Sequence, residues 1–288
     1  GHYKLAGVSF TVTATDGRAR RGELRLPHGI VQTPAFMPVG TRAAIKGLTL
    51  DQMDVLNPDI ILGNTYHLHL RPGDELIARA GGLHKFMGWS KPILTDSGGY
   101  QVFSLAGRRT ITEDGAAFRS HIDGRAHLLT PESVVDIQAR LGSDIAMIFD
   151  ECAPWPAERT DVEAAMERTL RWARRGRDRF QALQRGEAPE VPRATPGQMQ
   201  FGIIQGGTHR DLRDRSVAGT LAIGFDAYAI GGLSVGEPVD VMYDVVEHTA
   251  AQLPADLPRY LMGTGMPDDL VESVARGIDM FDCVLPTR

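Results

Sequence analysis

The sequence predicts an α/β fold, a (β/α)8 TIM barrel carrying small antiparallel β insertions. Short apolar runs end repeatedly in Gly, polar or acidic residues, and helical patterns lie between several of them. Eight such runs fit into about 250 residues, the count of a closed β/α barrel rather than an open doubly wound sheet.

The runs are Ala35 to Gly40, Asp59 to Asn64, Pro92 to Gly98, Asp144 to Glu151, Phe201 to Gly207, Ala227 to Leu233, Arg259 to Gly265 and Ile278 to Cys283. They read as buried parallel strands, apolar on both faces. Thr130 can cap a helix with Pro131 in its first turn. Val134, Ile137 and Leu141 share its inner face, and Gly142 stands where a C-terminal glycine belongs. A second helix runs from Asp161 to Gln184, its apolar face marked by Val162, Ala165, Met166, Ala173 and Phe180. A third opens at Pro267 with Asp268 and Asp269 in its first turn and stops near Gly277.

Two stretches fall outside the repeat: Phe10 to Arg25 alternates like an antiparallel hairpin, and Phe103 to Asp123 reads as an insertion after the third strand. Gly186 to Gly197, rich in Pro and Glu, is expected to be a mobile loop. The sequence stops at Arg288, just past the eighth strand, so residues 1–288 are expected to be a single barrel domain cut before its closing helix.

With 42% apolar and 23% charged residues, the composition is that of a soluble globular protein with a substantial core. Two cysteines, Cys152 and Cys283, are too few for a disulfide framework and suit a reducing compartment. No signal peptide or membrane-length apolar run is visible, Gly1-His2 reads as a cloning remnant, and a cytoplasmic location is expected. A net charge of -5 weighs against nucleic-acid binding, which favours a basic surface. Arg168, Arg171, Arg174, Arg175, Arg177 and Arg179 nevertheless crowd one helix, where a solvated face is the more ordinary reading and an RNA contact the sharper one.

Barrel enzymes carry their chemistry at the carboxyl ends of the strands. Here those ends bear Asp96, Asp150, Gln205, the Gly231-Gly232 pair, Met262-Gly263 and Asp282. An Asp followed by Ser-Gly-Gly, as at Asp96, is often just a turn. Several carboxylates converging from separate strands are more telling, because they raise one another's proton affinity and so divide into an acid and an ionised nucleophile. Glycosyl transfer needs that pair. His67 and His69, alternate residues that would share a strand face, could bind zinc, but the fifth and sixth strand ends offer Gln205 and Gly231 where more ligands are wanted.

The segments Asp96-Ser97-Gly98-Gly99-Tyr100-Gln101, Phe149-Asp150-Glu151-Cys152, Gly202-Ile203-Ile204-Gln205-Gly206, Gly231-Gly232-Leu233-Ser234-Val235-Gly236-Glu237, Tyr260-Leu261-Met262-Gly263 and the run from Asp279 to Arg288 are long and ordered. Together they closely resemble the queuine tRNA-ribosyltransferases, also called tRNA-guanine transglycosylases, over nearly the whole chain. The resemblance implies a pentosyl transfer in which the wobble guanine of tRNA is exchanged for a 7-deazaguanine precursor of queuosine. Asp282 would attack the ribose anomeric carbon, giving a covalent RNA–aspartate intermediate, and Asp96 would carry protons to and from the base. This is the physics of a retaining glycosidase applied to a nucleoside, with ping-pong kinetics.

The same resemblance places Ser97, Gly98, Gly99, Tyr100, Asp150, Cys152, Gln205, Gly232, Leu233 and Met262 around the base. Asp150 would accept from its N–H edge, Gln205 and the Gly232 N–H would donate to its carbonyl oxygen, and Tyr100 and Met262 would sandwich the flipped ring. It places Gly263, Thr264, Gly265, Met266, Pro267, Asp268 and Asp269, with Thr287 and Arg288, against the anticodon. Met266 stands where many bacterial members carry a lysine. Ser234-Val235-Gly236 is similar to bacterial members, whose valine leaves room for guanine or the aminomethyl-deazaguanine base but not for queuine.

Family members continue into a Cys-x-Cys-x-x-Cys and His zinc site, whose ligands are not in these residues. No metal is therefore expected within this chain, with structural zinc and a homodimer expected of a full-length protein. Three other readings compete: a catalytically inactive tRNA-binding subunit of the same family, which intact Asp96 and Asp282 oppose; a metal-dependent barrel hydrolase using His67 and His69; and an archaeal-type relative, which would carry extra RNA-binding domains.

Overall fold

The computed structural model describes residues 7–41, 44–45, 57–106, 108–191, 195–264 and 266–282. The chain opens with an antiparallel sheet, β1 (Ser9–Asp16), β2 (Ala19–Leu26) and β3 (Gly29–Thr33), so the predicted hairpin gains a third strand. In β2, buried Gly22, Leu24 and Leu26 alternate with exposed Arg21, Glu23 and Arg25, the period-two pattern of a sheet with one covered face.

The barrel strands are the split run β4 (Ala35–Met37) and β5 (Val39–Thr41), then β7 (Ile61–Gly63), β8 (Ile93–Thr95), β12 (Ile145–Met147), β13 (Met199–Ile204), β14 (Ala227–Ile230), β15 (Arg259–Leu261) and β16 (Met280–Asp282). β4 pairs in parallel with β16, Ala35 opposite Met280, while β5 pairs in parallel with β7, Val39 opposite Leu62. One run thus joins both edges. Pro38, which lacks an N–H, stands where it changes partner. Each predicted run overlaps a barrel strand, and the strands stop short of most predicted carboxyl ends because the chain there bends away into the loops that bear the polar residues. The short β6 (Ala44–Ile45) folds back on β5.

The N-terminal sheet closes the amino end of the barrel. Leu24, Leu26 and Val31 join the core cluster that holds Phe201, Ala229, Leu261 and Phe281. Arg20, buried, donates to both carboxylate oxygens of buried Asp279 and to the carbonyls of Ala255 and Leu257, all just before β15 and β16. Breaking such a buried pair typically costs about 3–5 kcal/mol, so this face serves stability.

Local signals set the helices. α1 (Thr65–Leu70) is capped by Asn64; α2 (Asp74–Arg79), α3 (Leu83–Met87) and α4 (Gly99–Leu105) follow. α5 (Pro131–Leu141) has the predicted cap: Thr130 accepts from Ser133 N–H, Ser133 reciprocates, and Gly142 ends the helix in the left-handed region with φ 73°. α6 (Arg159–Gln184) and α9 (Pro267–Ala275) match their predictions within two residues, and α7 (Arg210–Ile223) and α8 (Val239–Ala250) complete the described helices.

The structure corrects four expectations. The insertion after the third barrel strand begins with α4 and continues to Leu129 as the sheet β9 (Arg109–Thr112), β10 (Gly115–Arg119) and β11 (Ala126–Leu129). His67 and His69 lie on α1, not on a strand; two residues apart on a helix they diverge, and His69 is held by Asp74 at 2.7 Å. In the predicted mobile loop, Ala188 and Val191 are buried against Phe180 and Leu183, and residues 192–194 lie outside the described residues. Five of the six arginines clustered on α6 are engaged within the protein, Arg168 with Glu151, Arg171 with Glu113, Arg175 with Glu132, Arg177 with Asp226 and Arg179 with Asp136, while Arg174 is exposed. That face is a lattice of ion pairs rather than a row of cations awaiting phosphate. Among the described residues, no helix is long and apolar enough to cross a membrane.

Candidate active site

Asp96 follows β8, where the chain turns sharply into α4 through Gly98 at φ 79°. The turn gathers donors on the carboxylate. Thr65 N–H and Gly98 N–H donate to Oδ1 at 3.0 and 3.2 Å, and Gln101 Nε2 donates to Oδ2 at 3.3 Å. Burial nevertheless pushes Asp96 up to about 7, with the charge of Asp282 adding to the rise.

Asp282 ends β16 and is buried. Tyr260 Oη donates to its Oδ1 at 2.5 Å and Gly263 N–H donates to the same oxygen at 2.9 Å. Burial raises Asp282 too, while these donors oppose the rise by favouring the anion. Tyr260 stays a neutral donor, pushed well above the usual tyrosine value by burial and by the two aspartates. One carboxylate is therefore poised to hold a proton near neutrality, while the other is held by a pair of donors on one oxygen.

Asp150, just past β12, forms the floor of the same end of the barrel. Gln205 Nε2 donates to its Oδ2 at 2.7 Å and Ser97 Oγ to its Oδ1 at 3.4 Å, while burial lifts it to about 6, leaving it mostly ionised at neutral pH. Gly231 and Gly232 follow β14. A Cβ at Gly232, whose φ is 72°, would lie 2.4 Å from Gln205 Oε1, and one at Gly231 would lie 2.9 Å from Gln205 Nε2. The backbone must be bare here for the amide to pack against it.

A family model described as "Queuine tRNA-ribosyltransferase" matches residues 15–288. The chain is also similar to proteins named queuine tRNA-ribosyltransferase. That of Caldanaerobacter subterraneus subsp. tengcongensis is 54% identical over 286 residues, 99% of this chain and 73% of the relative. That of Nitratidesulfovibrio vulgaris is 55% identical over 280 residues, 97% of this chain and 72% of the relative. The chain belongs to the queuine tRNA-ribosyltransferase family.

Asp96, Asp150, Gln205, Gly232 and Asp282 all stand at the carboxyl ends of barrel strands, as expected. Ser97 holds Asp150, Gly98 N–H holds Asp96, and Gly99 N–H donates to Ser97 Oγ at 3.3 Å, so these three brace the carboxylates. Tyr100 is 56% exposed, whereas Leu233 is buried and Met262 half-buried. Burial pushes the Cys152 thiol up to about 12, so it is a packing group rather than a nucleophile.

Among the expected RNA contacts, Gly263 donates to Asp282, while Thr264 is buried against Ser234 Oγ at 3.0 Å. Asp269 accepts from Tyr243 Oη at 2.6 Å. Met266, Pro267 and Asp268 are exposed, and Gly265, Cys283, Thr287 and Arg288 lie outside the described residues. Sequence reasoning assigned no role to Tyr260, although strand periodicity puts it on the same barrel face as Met262, nor to Gln101, five residues past Asp96.

Two substitutions follow from this geometry. Tyr260→Phe removes a donor from the Asp282 anion, so kcat is expected to fall about tenfold, the scale of a hydrogen bond to a charged group. The acid limb of the rate profile should move to higher pH while KM for the base is unchanged. An unmoved limb would show that Tyr260 only fills space. Gly232→Ala places a methyl against Gln205 at a positive φ, and calorimetric titration with guanine should show at least about tenfold weaker binding.

Proposed function

We propose that the chain is a tRNA-guanine transglycosylase: it binds tRNA, releases a guanine from ribose and installs a related base at the same carbon. The observation that carries this reading is the division of labour between two carboxylates at one end of the barrel. Asp282 is gripped through Oδ1 by Tyr260 and Gly263, and Asp96 sits beside it at about 7.

Asp282 Oδ2 attacks the anomeric carbon as the bond to guanine breaks, and Asp96 gives its proton to the departing base. The sugar is then an ester of Asp282. The incoming base loses a proton to Asp96 and displaces the carboxylate, so two inversions leave the configuration unchanged. Asp150 accepts from the N–H edge of the base. Gln205 Nε2, with two hydrogens, can keep its bond to Asp150 while donating the second to the base carbonyl beside the Gly232 N–H.

Val235 helps line a cleft with Trp155, Gln205 and Gly232 whose free volume is about 20 Å³. That is room for about one water; the choice of guanine or a small aminomethyl-deazaguanine over the bulkier queuine rests on the resemblance of Ser234-Val235-Gly236 to bacterial members of the family. We read residues 1–288 as one catalytic barrel domain, and a tRNA substrate places the reaction in the cytoplasm. The structural zinc of the family needs three cysteines and a histidine; with two cysteines in 288 residues the set present does not fit it. The homodimer of the family is proposed for longer members of it.

The test is exchange of labelled guanine into a tRNA with a wobble guanine. Incorporation of label into the RNA by the wild type, lost in Asp282→Asn, supports base exchange; no incorporation by the wild type points to the inactive tRNA-binding subunit.

A further inference from the structure

Beneath the base subsite lies a cation that the two-carboxylate chemistry leaves unexplained. Arg213, on the inward face of α7, is completely buried. Its Nε donates to Gly207 carbonyl at 2.8 Å, and one Nη donates to the carbonyls of Ile204 and Gly231 at 2.9 and 2.8 Å. The other Nη is buried with no hydrogen-bond partner, and a Cβ on Gly232 would stand 3.5 Å from it. Among the described residues no carboxylate is within ion-pair distance of Arg213. Burial lowers it to about 10, which still leaves it charged at neutral pH. An unpaired buried charge is costly, and a buried donor without a partner calls for a reason.

The peptide between Gly231 and Gly232 supplies one. A trans peptide is planar, so its N–H points opposite to its C=O. With the Gly231 carbonyl held on the guanidinium, the Gly232 N–H must point away from Arg213, toward the base. A cation on the carbonyl side also polarises the amide and strengthens that N–H as a donor, more so in a low-dielectric interior. Gln205 lies at the same place, its Oε1 packed against Gly232.

We propose that Arg213 is a positioning residue that orients and polarises the Gly231–Gly232 peptide, making it a donor tuned to the carbonyl oxygen of a guanine-type base as negative charge builds on that base ahead of its protonation by Asp96. The inference rests on the base-exchange reading. Its energetic logic is that of an oxyanion hole: a donor fixed in advance where charge develops. Arg213 acts through the peptide and touches no substrate itself.

The experiment compares guanine with 2-aminopurine, which lacks the carbonyl oxygen, by measuring both affinities in the wild type, Arg213→Lys and Arg213→Gln. The ratio of the two affinities is independent of the fraction of protein folded. In Arg213→Gln it is expected to shrink about tenfold, the scale of one charge-assisted hydrogen bond, with Arg213→Lys between. A ratio unchanged in the variants, both bases weakening in proportion, would reduce Arg213 to a structural staple and overturn the proposal.

A second measurement needs no variant. The carbonyl stretch of guanine labelled with carbon-13 at C6 should lie lower in frequency when bound to the wild type than in water; a band at or above the water value overturns the proposal. A wild type that binds no guanine would instead fail the base-exchange reading.

Discussion

Replacing Asp282 with asparagine is expected to abolish the covalent RNA–protein adduct and to lower base exchange by about 10⁴-fold or more, the scale of losing a nucleophile. Guanine affinity should be nearly unchanged. Asparagine is isosteric, and its side-chain carbonyl can still accept from Tyr260 Oη and Gly263 N–H, so the pocket around it keeps its shape. What disappears is the anionic oxygen that attacks carbon. Incubation with a wobble-guanine tRNA followed by a denaturing gel reads the adduct directly; an adduct retained by the variant would falsify the nucleophile assignment. A further consequence separates the roles of the two aspartates. The charge of Asp282 helps raise Asp96, so in Asp282→Asn the proton on Asp96 should be lost at lower pH than in the wild type.

Asp96→Ala is expected to slow exchange by about 10²–10⁴-fold, the usual contribution of general acid–base catalysis. The wild type should also show opposite pH limbs in its two half-reactions. Asp96 must be protonated to release guanine, so adduct formation should decline as pH rises through about 7. It must be ionised to deprotonate the incoming base, so resolution of the adduct should decline as pH falls through the same region. Rapid-quench measurement of each half-reaction between pH 5 and 9, in wild type and Asp96→Ala, checks both limbs. Parallel limbs in the two steps would remove Asp96 from the proton transfer.

Much of the architecture was legible because its signals are local. The eight strands announced themselves as buried apolar runs, and the Thr130-Pro131 cap with Gly142 fixed a helix to the residue, since capping and left-handed glycine depend on neighbours in sequence. The His67-Leu68-His69 reading failed for the same reason: three residues carry no period, and Asn64 capping a helix outweighed the alternation. The arginine-rich helix was ambiguous in sequence because its partners come from three separate places in the chain: Glu113, the α5 pair Glu132 and Asp136, and Asp226.

The sequence by itself determined the barrel, the carboxylates at its strand ends and the family resemblance, because each is written in contiguous residues. Only the tertiary structure decided how those groups divide the chemistry. Tyr260 and Gly263 converge on one oxygen of Asp282, burial and the charge of Asp282 lift Asp96, and a buried Arg213 grips carbonyls at the carboxyl ends of two neighbouring strands, Ile204 closing β13 and Gly231 just past β14. Proton affinity and hydrogen-bond direction depend on distance and desolvation, and those exist only once the strands stand side by side.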